Sequence, residues 1–81
     1  MPFAKLFDLP DGNQILVMKG DPNDQVGEYR ILYITEIDGK RHNIRILYRN
    51  ESVLNADFQN ITQEKAERYY NRMIQVLTTK K

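Results

Sequence analysis

The pair Asp38-Gly39, set between "EYRILYITEI" and "KRHNIRILYR", constrains this chain more than any other feature. Asp-Gly between two apolar-rich runs is the signature of a two-residue β-hairpin loop, because that loop needs positive φ at both central positions. The loop also dictates which residues face each other. Ile37 is expected opposite Lys40, then Thr35 opposite His42, Tyr33 opposite Ile44, Ile31 opposite Ile46 and Tyr29 opposite Tyr48. Strand side chains alternate between faces, so these residues share one face, which is apolar enough to be core. The other face pairs Glu36 with Arg41, Ile34 with Asn43, Leu32 with Arg45, Arg30 with Leu47 and Glu28 with Arg49.

A second hairpin is written upstream. In "LPDGN", Pro10 suits a turn position with φ near −65° and Gly12 one with positive φ, between "FAKLFDL" and "NQILVMKG". A three-residue loop with Leu9 opposite Asn13 puts Phe7 across from Ile15 and Lys5 across from Val17. On the reverse side, Leu6 meets Leu16 and Ala4 meets Met18. Both sides of this hairpin are largely apolar, and a single helix covers only one of them. The other calls for a rim of loop, a partner or a second copy of the chain, and a homodimer through the N-terminal hairpin is the prediction.

"GDPNDQVGE", Gly20 to Glu28, is a polar, turn-rich connection. Asp21 and Asp24 lack the alternating ligands and closing glutamate of a calcium loop, so a solvated loop is expected. "NESVLNADFQN" shows no clear period and reads as a loop or a short helical turn that tucks Val53, Leu54 and Phe58 inward. From Thr62 a helix is expected. Thr62 caps it, Ile61 staples onto Ala66, and Ala66, Tyr69, Tyr70, Met73, Ile74 and Leu77 recur at helical spacing. Lys80 and Lys81 follow as a tail. The expected fold is α+β: a four-stranded antiparallel meander with one C-terminal amphipathic helix packed on one face, β-β-β-β-α, in a single domain over residues 1–81.

The 81 residues carry no cysteine, which removes disulfides, thiolate metal sites and a cysteine nucleophile. Together with a start, "MPFAKLFDLPDG", that has no signal-like apolar stretch, this fits a reducing cytoplasm and no membrane association. Asn50-Glu51-Ser52 and Asn60-Ile61-Thr62 match the glycosylation pattern, which is idle without secretion. Small size and a self-contained form suit a phage or mobile-element origin.

No catalytic constellation emerges. His42 is the single histidine and has no cysteine or carboxylate pair to build a metal site with, and no serine has a histidine and an acid placed to serve it. Neither an enzyme nor a cofactor is expected. The five tyrosines fall on the core face or the apolar helix stripe, so they are read as packing rather than as a base-stacking platform.

Charge is informative in its distribution. The net value is only +1, yet residues 1–38 sum to −4 and 39–81 to +5, and Lys40 to Arg49 contains no acid. The arginine-bearing face of the second hairpin is therefore the candidate partner surface: Arg30, Leu32, Arg41, Asn43, Arg45, Leu47 and Arg49. Arg41 and Arg49 have cross-strand glutamates, whereas Arg30 and Arg45 are expected to stand unpaired. Arginine and aliphatic side chains together are normal material for a protein interface, and an unknown protein is the first expected partner. Arginine and asparagine on a sheet also read base edges in a major groove, so duplex DNA is the alternative.

The run "YRILYITEIDGKRHNIRI", followed by "FQNITQEKAERYYNRM", resembles the sheet-plus-helix DNA-binding domains at the N-termini of phage-type tyrosine recombinases. The resemblance covers Gln14 to Met73 and rests on a Tyr-Arg strand start, an Asp-Gly-Lys-Arg turn and a helix entry after Phe58. It implies a sheet face in the major groove, with Arg30, Arg41, Asn43 and Arg45 contacting DNA.

Overall fold

A computed structural model describes residues 4–20 and 29–79. Four strands, β1 (Ala4–Asp8), β2 (Gln14–Lys19), β3 (Tyr29–Ile37) and β4 (Lys40–Tyr48), are followed by two helices, α1 (Glu51–Gln59) and α2 (Gln63–Thr79). The strands form one antiparallel sheet in the order β1-β2-β3-β4.

Both hairpins adopt the expected registers. Asp38 and Gly39 have φ of 54° and 79°, the left-handed pair the two-residue loop requires, and Ile37 faces Lys40 with the pairing running out to Tyr29 and Tyr48. In the first hairpin the Leu9 N–H donates to the Asn13 carbonyl at 2.8 Å, and Gly12 sits at φ 93°. Phe7 faces Ile15 and Leu6 faces Leu16. The hairpins then join through β2 and β3, with Leu16 opposite Ile34 and Met18 opposite Leu32.

Alternation sorts the strand residues cleanly. Ile15, Val17, Ile31 and Tyr33 are completely buried beneath the helices, together with Leu54 and Phe58 of α1 and Ala66, Tyr70 and Met73 of α2. Tyr33 stacks on Tyr69 with ring centroids 4.1 Å apart. The tyrosines of this side are thus largely core, although Tyr29 at the start of β3 is exposed.

The expectation of one helix is corrected to two. Residues 51–59 form a regular helix despite a weak apolar period, because only Leu54 and Phe58, one turn apart, are needed to anchor it. Val53, expected inward, is 47% exposed. Both ends of α1 are held by asparagine. The Asn50 side chain accepts from the Val53 N–H at 2.9 Å, and the Asn60 amide donates to the Ala56 carbonyl at 2.9 Å. These are the asparagines of the two glycosylation-like triplets. Their spacing around 51–59 was the available helix signal. Lys5 completes the C-terminal cap by donating to the Phe58 carbonyl at 2.7 Å, and its ammonium lies 5.0 Å from the Phe58 ring centre. α2 begins as expected, with the Thr62 hydroxyl accepting from the Lys65 N–H.

The connection that includes Asp21 and Asp24, the Glu28 half of the expected Glu28–Arg49 pair and the Lys80-Lys81 tail lie outside the described residues.

Candidate functional site

Both helices pack on the same side of the sheet, so the opposite side carries no helix among the described residues. Its composition follows from the register. Leu6, Leu16, Ile34 and Asn43 form one row across the four strands, and Ala4, Met18, Leu32 and Arg45 the next. Arg30 and Leu47 close one end of this face, while Asp8 beside Gln14 and Glu36 beside Arg41 close the other. Leu6 is 60% exposed and Leu47 57%, values far above those of the core face. Leu16, Met18, Leu32 and Ile34 between them are half-buried. A shallow open depression runs over Leu6, Leu16, Ile34, Glu36 and Arg41.

The predicted partner residues Arg30, Leu32, Arg41, Asn43, Arg45 and Leu47 are brought onto this one face, and the exposed Arg49 follows directly after β4. Two expectations change. Arg30 and Arg45 each engage other groups, so neither is the unpaired arginine that register alone suggested. The apolar side of the first hairpin and the arginine side of the second, read separately in the sequence, are one continuous surface, because β2 and β3 pair antiparallel. Leu6, Leu16, Met18 and Ile34 therefore belong to the site. The signal for this was the succession of the two hairpins in the chain, since consecutive strands of a sheet tend to be neighbours.

The strongest perturbations of titration lie on the helix side and have structural causes. Burial and a hydrogen bond to Asp57 push the Tyr48 hydroxyl well above its ordinary value. Burial alone would raise Asp57, but hydrogen bonds from Lys65, at 2.6 Å, and from Tyr48 hold its carboxyl below the usual range. The Tyr70 hydroxyl donates to Asp11 at 2.5 Å and accepts from Asn13 at 2.7 Å; the bond to Asp11 lowers that carboxyl, and burial together with the same bond raises Tyr70 against the opposing effect of Asn13. Each network ties a helix to a strand or loop across the core. His42 sits half-buried on the rim of the helix side, and no three His, Cys, Asp or Glu side chains converge among the described residues. No helix of the described residues is long and apolar enough to cross a membrane.

Searches of protein-family models, curated proteins and solved structures found no match to this chain.

Proposed function

We propose that the protein is a non-enzymatic protein-interaction module working through its open sheet face, and that a second copy of the chain is what docks there. The observation that carries this reading is the one-sided packing. A four-stranded sheet with both helices on one side leaves leucine, isoleucine and methionine side chains adjacent on the other, and contiguous apolar surface of this kind marks an interaction site.

Charge selects the second copy. Asp8 stands at the β1 edge and Arg41 at the β4 edge of the same end of the face. A two-fold axis parallel to the strands lays β1 over the partner's β4, so that the two acids meet the two arginines while Leu16 and Met18 cover the partner's Ile34 and Leu32. Such a contact is self-complementary, as an isologous interface must be. Duplex DNA is the second reading, favoured by Arg41, Asn43 and Arg45 projecting from one strand on one face.

Sedimentation at high micromolar concentration separates them when combined with a mobility shift on duplex DNA at two salt concentrations. A dimer that Leu6→Glu converts to a folded monomer is the expected result. A monomeric wild type that shifts DNA with a steep salt dependence would replace the dimer with the nucleic-acid reading.

A further inference from the structure

A different surface offers a second binding mode. β4 is an outer strand, nine residues long, and among the described residues it pairs with β3 alone. In a two-residue hairpin the pair flanking the loop is hydrogen-bonded and the pairs alternate from there. Ile37–Lys40, Thr35–His42 and Tyr33–Ile44 are thus the bonded pairs, and the N–H and C=O groups of Arg41, Asn43 and Leu47 point away from β3, out of the sheet edge.

Beside that edge, on the helix side, lies a groove of about 190 Å³ between β4 and the second half of α2. Ile44, Met73, Val76 and Leu77 give it apolar walls, with His42 and Arg72 at its rim. Val76 is 56% exposed there. A groove of this size takes side chains rather than a drug-sized molecule. An outer strand with a helix-walled groove alongside is the arrangement that accepts an added strand, whose backbone pairs with the edge while alternate side chains enter the groove.

The charges specify the occupant. β4 contributes Lys40 and Arg41 with Arg49 just beyond, all exposed, and contains no acid; α2 from Arg68 onward contains none either and adds Arg72. Cations on an outer strand are also the ordinary protection against edge-to-edge aggregation. That accounts for the charge but not for the apolar groove. Two β4 strands paired with each other would oppose like charges, which disfavours a second copy at this place. We infer that the β4 edge and the β4–α2 groove bind an extended acidic peptide segment, with aliphatic side chains entering the groove and carboxylates on the alternate positions meeting the arginine side of β4. This goes beyond the sheet-face dimer, uses none of its apolar contacts and shares only the arginine side of β4 with it.

The test is fluorescence anisotropy with a labelled peptide of about nine residues, the length of β4, alternating glutamate and valine. The Glu/Val peptide is expected to bind and its Lys/Val counterpart to fail. N-methylation of every second residue should abolish binding in one register and spare it in the other, since an added strand directs alternate N–H groups at the edge. Val76→Asp should weaken binding by about tenfold or more, whereas Leu6→Glu, aimed at the sheet-face dimer, should not weaken it. On binding, the amides of Arg41 and Asn43 should gain protection from hydrogen exchange. Absence of binding by the Glu/Val peptide, equal binding of both charge forms, or indifference to both methylation registers would overturn the inference.

Discussion

The two faces of this sheet are built from alternate residues of the same four strands, yet one is a sealed core and the other an open surface. Side-chain hydrophobicity alone does not separate them, since Leu6, Leu16 and Met18 are as apolar as Phe7, Ile15 and Val17. What separates them is where the chain goes after Tyr48. Asn50 starts α1 at once, and Lys5 and Lys19, both on the helix face, hold it there: Lys5 caps the last carbonyls and Lys19 donates to Asn55 at 3.0 Å. Polar side chains at the rim of one face thus hold the helix over it, and the other face carries no helix among the described residues.

Substitutions that strike the two faces unequally test this contrast. Phe58 is buried where α1 meets the sheet and lies beneath both lysines. Phe58→Ala is expected to cost about 3–5 kcal/mol in denaturant unfolding, the range for removing a buried aromatic. A loss below about 1 kcal/mol would mean that α1 is not part of the core.

Asp57 anchors α1 to β4 and to the start of α2 through Tyr48 and Lys65. Asp57→Asn should cost about 1–3 kcal/mol at neutral pH, as expected for hydrogen bonds to a charged group. Its carboxyl is held below the ordinary value of 3.8 when folded, so it stabilises the fold above that pH, and the contribution disappears as pH falls through the lower folded-state value. The melting temperature of the wild type should therefore decline on acidification more steeply than that of Asp57→Asn. Parallel curves would remove the carboxylate from the account.

Gly39 concerns both faces at once, because the 38–39 turn sets which residues lie on each. A Cβ there meets no atom within 4 Å beyond the neighbouring residues, so the penalty expected of Gly39→Val is backbone strain at φ +79°, about 1 kcal/mol or more. An unchanged thermal melt would place the turn elsewhere. The smallest effect belongs to the open face: Leu6→Ala should change the stability of the monomer by no more than about 0.5 kcal/mol. A large loss would show that Leu6 is covered within one copy.

Strands and register were legible in the sequence because two turn motifs carry backbone requirements that glycine and its neighbours meet locally. The helix from Thr62 was legible for the same reason, with a cap and six apolar positions in phase. α1 was not, since its two anchoring residues make too little pattern and its caps, Asn50 and Asn60, also read as a sugar acceptor pattern. The arginine face could be placed by alternation. Its continuity with the first hairpin depended on how β2 and β3 pair, and the engagement of Arg30 and Arg45 on contacts that strand register does not encode.

A charge swap across the proposed two-fold axis tests the central claim most directly. Asp8→Arg places a cation opposite the partner's Arg41, and Arg41→Asp places an acid opposite the partner's Asp8, so each variant alone should sediment as a folded monomer. An equimolar mixture restores opposite charges at both contacts and should sediment as a dimer, as should the chain carrying both substitutions. Single variants that dimerise like the wild type, or a mixture that stays monomeric while the wild type dimerises, would contradict the account of the open face.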